Sequence, residues 1–223
     1  AIREAVTPIR GADGQITGAV LVFQDLTRVR GLEQEMAYLA THDPLTGLIN
    51  RREFERRIES ALSEARADGR RFALCYVDLD DFKIVNDTCG HAAGDEMLRQ
   101  LTSVIAASVA GGDTVARLGG DEFGLLLVDC SSADGVTRSQ RVLDAIRHYR
   151  FLWRDRAFEV RASVGMVPID RTGGGVSELL SAADAACYVA KDSGRNQIHL
   201  SEPDDTEIAA RYSEMNWVQR IQD

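Results

Sequence analysis

Apolar and polar positions alternate through residues 2–9 and again through 16–24, with Gly11, Asp13 and Gly14 between the two runs. That pattern predicts a β-hairpin. Two strands alone are marginal in water, so the pair reads as the tail of a larger sheet. The period then lengthens, and residues 26–41 are expected to be helical. Val29, Leu32, Met36 and Leu39 form a seam suited to parallel pairing of two chains, although it covers only about two heptads. A helix packed on its own domain fits the same seam nearly as well. Pro44 biases Asp43 away from helical backbone, so the helix should stop near His42.

After Asp43 the patterns mix. Residues 50–67 are expected to be helical, with Phe54, Ile58 and Leu62 on one face and Asp68-Gly69 at the end. FALCYVDLD, residues 72–80, reads as an apolar strand that finishes in acids. A helix over 95–109 would bury Met97, Leu98, Leu101, Val104, Ile105 and Val109. DTVARL and EFGLLLVD would pair as a hairpin about Gly119 and Gly120. A helix over 134–149 and a strand over 158–169 follow. RTGGG (171–175) reads as a loop. Ser177 is the expected N-cap of a helix running to Lys191, with Gly194 supplying the turn after it. Residues 196–200 make a last strand. Hairpin strands with helices between them predict an α+β domain, a sheet covered by helices. Residues 202–223 read as an acidic linker and then an amphipathic start of a further element.

Length and charge narrow the functions. The chain has 223 residues, room for one full domain and extra pieces. Its formal net charge of −9 argues against broad binding of a nucleic-acid polymer, which needs a basic face, but a nucleotide can still be held through a metal. Cys75, Cys89, Cys130 and Cys187 show no CxxC spacing and suggest neither zinc nor disulfides. They read as reduced thiols in a cytoplasmic domain. No apolar run approaches the roughly 18 residues of a membrane span, and no signal peptide is visible. No membrane contact is expected within these residues.

The chemistry gathers at element ends. Asp78, Asp80 and Asp81 crowd the end of one apolar strand. Alternation puts Asp78 and Asp80 on one face and Asp81 on the other. If that strand lies beside the Gly119-Gly120 hairpin, Asp78 and Asp121 would face one another. Adjacent carboxylates repel unless a cation lies between them, and an all-oxygen set suits Mg²⁺ better than zinc. The plainer reading of VARLGGDEFG is a hairpin turn alone. The plainer reading of Asp80 and Asp81, and the preferred one, is a solvated strand end. Lys191 and Arg195 straddle a glycine turn and could clamp a terminal phosphate, with Lys83 a third cation. Lys191 alone would also be favoured simply by the end of its helix.

Taken in order, DPLTGLINR (43–51), DLDDFKIVND, GHAAGD, RLGGDEF, ASVG and AADAACYVAKDSGRN closely resemble the GGDEF family, the diguanylate cyclases, over about residues 40–200. The resemblance implies a central, mainly antiparallel sheet wrapped by helices, akin to the palm of nucleotide polymerases and cyclases. It implies condensation of two GTP into cyclic di-GMP and two pyrophosphates, with Mg²⁺ (or Mn²⁺), by two domains facing each other in a homodimer. It implies that Asp78, the Leu79 carbonyl, Asp121 and Glu122 hold metal, with Asp121 the general base. Gly119 and Gly120 would line the phosphates, and Lys83, Lys191 and Arg195 would hold them. Asn86 and Asp95 would read guanine, whose N1–H and N2–H₂ suit a carboxylate. His91 would sit near the nucleotide, though a loop-packing role fits it equally.

The flanks resemble other modules: residues 1–27 the end of a PAS sensor domain, 28–42 a helical signalling linker, and 202–223 the start of an EAL phosphodiesterase domain. The GGDEF part would then occupy 43–201. A silent GTP-binding module regulating an attached EAL domain is the alternative function. One departure stands out. Members often carry an inhibitory product site, Arg-x-x-Asp, and the matching residues here are Ala110-Gly111-Gly112-Asp113. Without the arginine fork, product should bind there weakly or not at all.

Overall fold

A computed structural model describes residues 2–10, 12, 14–25, 27–172 and 174–201. The chain divides into two compact units, residues 1–41 and 42–223. In the first, β1 (Ile2–Arg10) pairs antiparallel with β2 (Ile16–Asp25), and α1 (Thr27–Leu39) follows. Gly11 and Asp13 of the expected turn lie outside the described residues, as does the side chain of Val29. Leu32, Met36 and Leu39 of the seam are exposed. The reading of 202–223 also falls outside the described residues.

The second unit runs β3 (Ile49–Asn50), α2 (Arg51–Asp68), β4 (Phe72–Asp80), α3 (Phe82–Cys89), α4 (His91–Ser108), β5 (Thr114–Gly119), β6 (Glu122–Val128) and α5 (Ser132–His148). It continues with β7 (Arg150–Trp153), β8 (Arg156–Glu159), β9 (Arg161–Ile169), α6 (Val176–Asp192) and β10 (Ile198–Leu200). Six strands form one sheet in the order β10-β9-β4-β6-β5-β3. The central pairs are antiparallel, while β10 and β3 join the two edges in parallel. This is the α+β sheet that the pattern predicted.

Alternation along β4 divides the core. Phe72, Leu74 and Tyr76 pack with Phe54 and Ile58 of α2 and Leu179 and Ala183 of α6. Ala73, Cys75, Val77 and Leu79 pack with Met97 and Leu101 of α4 and Val142 and Ile146 of α5. Burial of each large side chain contributes roughly 1.5–3 kcal/mol. Capping fixes where α2 starts: the Asn50 side chain accepts the Glu53 N–H, and Gly69 closes the helix in left-handed backbone. Helix α6 seats directly on β9, because a Cβ on Gly165 would stand 2.0 Å from the Ala183 carbonyl oxygen. That contact sets the height of the helix that carries Lys191.

Several elements differ from expectation, and neither the two-residue β3 nor β7 was predicted. Helix α3 was not predicted: it is only eight residues long, too short for periodicity to show. The next helix begins at His91 rather than 95. The strand expected over 158–169 is two strands, because pairing with β4 ends at Asp80↔Arg161 and Phe158 turns instead to pair with Phe151. The N-cap of α6 is Gly175, not Ser177; the Glu178 carboxylate accepts the Gly175 N–H at 2.9 Å. The acid in the first turn satisfies the N–H of the N-cap residue, while glycine offers no side chain to accept from the turn itself.

Candidate active site

Strand β4 ends where the β5–β6 hairpin turns. Asp78 lies opposite Glu122 in the antiparallel register. The next residue, Leu79, gives its N–H to the Asp121 carbonyl at 3.3 Å. So the strand does lie beside the hairpin, but the facing partner of Asp78 is Glu122 rather than Asp121. The bulge between Arg117 and Gly119 shifts the pairing and carries Asp121 past the last strand position. Leu79 keeps its side chain buried, which leaves only its main chain for the site.

The three acids act on one another. Burial raises the Asp78 carboxyl to about 6, and the charges of Asp121 and Glu122 push the same way. Lys191 opposes them, its Nζ standing 2.6 Å from Asp78 Oδ1. Burial would lower the Lys191 ammonium, yet Asp78 holds it above its usual range. The two partners are therefore unequal: the lysine stays charged, while the acid is under strain to ionise. Among the described residues, Asp78 Oδ1 is the buried side-chain oxygen that makes no hydrogen bond. Lys191 meets it as a charge at close range, outside good hydrogen-bond alignment. Tyr76, two residues back on the same face, is pushed up by burial and then by Glu122, so its hydroxyl stays protonated beside that carboxylate.

The described side chains include no three His, Cys, Asp or Glu residues converging as a ready-made metal cage. What fits a hard cation is the buried Asp78 oxygen, answered only by the Lys191 ammonium, the two acids that raise its pKa, and the all-oxygen chemistry of the set. Asp80, read as a solvated strand end, is instead buried. It accepts the Ser163 hydroxyl at 2.8 Å and the Asn196 N–H at 3.0 Å. The solvated reading missed that β9 runs alongside and covers it. Asp81 is exposed, with left-handed backbone at φ 59°, and turns the chain into α3.

The remaining candidates occupy the helices and turns around this end of the sheet. Asn86 is half-buried on α3, facing α4 so closely that a Cβ on Gly94 would stand 2.1 Å from its Oδ1. Asp95 follows Gly94 and is exposed, as are His91 at the start of α4, Lys83 on α3 and Arg195 after α6. Gly119 and Gly120 form the exposed turn, both with positive φ. The structure thus pairs Lys191 with Asp78 and sets the charges of Asp121 and Glu122 against that acid. It leaves Lys83, His91, Asp95 and Arg195 facing solvent.

Sequence reasoning gave no role to Arg117. Its guanidinium donates to the Gly120 carbonyl at 2.8 and 3.1 Å and to Asp43 at 3.0 and 3.2 Å. Asp43 also accepts the Thr46 N–H and hydroxyl. Burial alone would raise Asp43, but Thr46 and Arg117 outweigh it and hold the carboxyl below its usual range. The sequence signal was a cation in an apolar strand two residues before a glycine turn.

Residues 40–197 match the family described as "Diguanylate cyclase, GGDEF domain". The chain belongs to the GGDEF family of diguanylate cyclases. Among its GGDEF relatives is "Probable diguanylate cyclase DgcE" of Escherichia coli, 41% identical over 213 residues, 96% of this chain and 19% of that protein. Another is "Cyclic di-GMP phosphodiesterase PdeB" of Shewanella oneidensis, 32% identical over 220 residues, 99% of this chain and 25% of that protein. The chain spans only about a fifth to a quarter of these relatives. The crystal structure of diguanylate cyclase SiaD in complex with its activator SiaC, from Pseudomonas aeruginosa, is similar at TM-score 0.70. Identity is 34%, covering 78% of this chain and 66% of that one. Among the described residues no helix is long and apolar enough to cross a membrane.

Proposed function

We propose that this GGDEF domain condenses two GTP molecules into cyclic di-GMP, in the cytoplasm, as a dimer of two domains each holding one nucleotide. The observation that carries the reading is the buried Asp78 oxygen, met by the Lys191 ammonium alone and facing the charges of Asp121 and Glu122. Asp78, the Leu79 carbonyl, Asp121 and Glu122 would hold Mg²⁺ or Mn²⁺, which supplies charge neutralisation at the phosphates and eases ionisation of a nearby hydroxyl. Asp121 takes the proton of the ribose 3′-OH, that oxygen attacks the α-phosphorus of the facing GTP, and pyrophosphate leaves. Repeating the step in the opposite sense closes the ring and releases the second pyrophosphate. Lys83, Lys191 and Arg195 orient the phosphates. Asn86 and Asp95 select guanine, because adenine offers no N1–H and N2–H₂ pair. Gly119 and Gly120 let the nucleotide approach the backbone, with His91 nearby.

The helical seam through Leu32 and Met36 would bring two copies together, on the reading that residues 1–27 end a PAS-like sensor, 28–42 link it, 43–201 form the GGDEF domain and 202–223 begin an EAL-like domain. A second reading is a silent GTP-binding module that regulates an attached phosphodiesterase. It is favoured by the relative PdeB, a protein named as a phosphodiesterase, a quarter of whose length matches this chain.

Incubation with GTP and Mg²⁺ over a range of protein concentrations, with Asp121→Asn alongside, tests both. Cyclic di-GMP that rises faster than linearly with protein and vanishes in the variant supports the cyclase. GTP binding that depends on Asp95, with no product at any concentration, supports the regulator.

A further inference from the structure

Asp80 sits two residues beyond Asp78 on the same face of β4, yet it is spent on different partners. Oδ1 accepts the hydroxyl of Ser163, a fully buried residue of β9, and Oδ2 accepts the main-chain N–H of Asn196. A buried carboxylate is costly unless hydrogen-bonded, and this one is answered at both oxygens, by two separate parts of the chain. The turn it grips is unusual. Gly194, Arg195 and Asn196 have φ of 122°, 63° and 50°. Left-handed backbone suits glycine and is tolerated by asparagine, but at arginine it persists only where the surroundings enforce it. On its other side the turn is tied back by Arg195 N–H to the Ala190 carbonyl and by Val164 N–H to the Gln197 carbonyl. Asp80 supplies the hold from β4, the strand that also presents Asp78.

We infer that Asp80 is a positioning residue for the phosphate end of the site: by fixing residues 194–196 to β4 it sets where Lys191 and Arg195 stand relative to Asp78. The inference rests on the reading of GTP as substrate. Asp80 touches no nucleotide itself. Its effect passes through a main-chain amide, so it concerns the outer phosphates and leaves guanine selection on α3 and α4 untouched.

The test is Asp80→Asn, which keeps the size but cannot accept at both ends, so Ser163 or Asn196 loses its bond. Two measurements are made in the metal-loaded protein: amide hydrogen exchange at Asn196, and binding of GTP beside GMP, which keeps base and ribose but lacks the outer phosphates. Expected are faster exchange at Asn196 and a loss of about tenfold in GTP affinity, the scale of one charged hydrogen bond, with GMP affinity unchanged. Equal losses for GTP and GMP would mean general loosening and overturn the inference, as would unchanged GTP affinity. If Asp80→Asn does not fold, Ser163→Ala decides. It removes one donor, and a GTP-selective loss of about threefold is expected; no change overturns the inference. Wild type that binds no GTP would sink the substrate reading instead, and the exchange at Asn196 would still report whether Asp80 holds the turn.

Discussion

The Lys191 ammonium stands 2.6 Å from the Oδ1 of Asp78, and that close cation still leaves the acid reluctant to ionise. The folded carboxyl titrates near 6 against a usual 3.8. The folded protein therefore binds this proton more tightly than the unfolded chain does. Stability at the site is greatest below about pH 4 and falls as pH rises through 6. The full shift corresponds to on the order of 3 kcal/mol. Asp78→Asn should thus be more stable than metal-free wild type at pH 7.5, with the difference vanishing towards pH 4, and should make no product. Urea unfolding of both proteins at the two pH values measures this. A wild type more stable than the variant at pH 7.5 would refute it.

Arg117 ties the signature turn to the loop at Asp43. Removing it leaves the Asp43 carboxylate with Thr46 alone and no cation, and takes both donors from the Gly120 carbonyl. Arg117→Ala should cost about 3 kcal/mol in stability, the usual scale for orphaning one partner of a sheltered pair. Arg117→Lys, which cannot fork to both partners, should retain the fold but lose most turnover. Thermal melts and product assays separate the two effects. Full activity in the lysine variant would show that the fork is not needed.

A methyl group at residue 94 should divide stability from recognition. In a helix interior alanine is better than glycine by about 1 kcal/mol. Here, though, the Cβ would meet Asn86 Oδ1 at 2.1 Å, and the flexible amide must swing away. Gly94→Ala should melt within a few degrees of wild type yet bind GTP at least about tenfold more weakly, as expected when a buried polar partner is misplaced. Unimpaired GTP affinity would remove Asn86 from the guanine site.

Much of this site was legible as letters, and the reasons differ by residue. Asp78, Asp121, Lys191 and Asn86 belong to motifs whose order and spacing carry the family signal, so they could be named as candidates before any coordinates, although the residue facing Asp78 is Glu122 rather than Asp121. Asp80 could not. Its role depends on Ser163 and Asn196, which are 83 and 116 residues away, and a strand-end acid looks the same whether water or a serine answers it. Arg117 was visible as an oddity but not as a clamp, because its partner Asp43 lies 74 residues upstream. Among the elements, long periodic helices such as α2 were plain from spacing. The eight-residue α3 was not, since two turns leave too few positions to establish a period.

The stretch Ala110–Asp113 has a use of its own. Asp113 is ion-paired to Arg138 and accepts the N–H groups of Val128 and Ala110, with its side chain fully buried. It serves as a structural tie, with three donors from the fold already on its two oxygens and no side-chain surface offered to a ligand. Cyclic di-GMP should therefore show no micromolar binding to this stretch, and Arg138→Ala should cost about 3 kcal/mol in stability. Calorimetric titration of wild type and of Asp113→Ala checks the first point. Micromolar product binding that disappears in the variant would contradict it.

Strand β4 has apolar residues packed on both faces through Val77, and only beyond that point does one face turn to charge. A single inserted residue within it would exchange the faces. Asp78 and Asp80 would be driven among Met97 and Leu101, while Val77 and Leu79 would line the cleft. Chain length at this strand is therefore frozen. Lengthening or shortening of the domain is better absorbed outside this strand, as at the turn between β7 and β8.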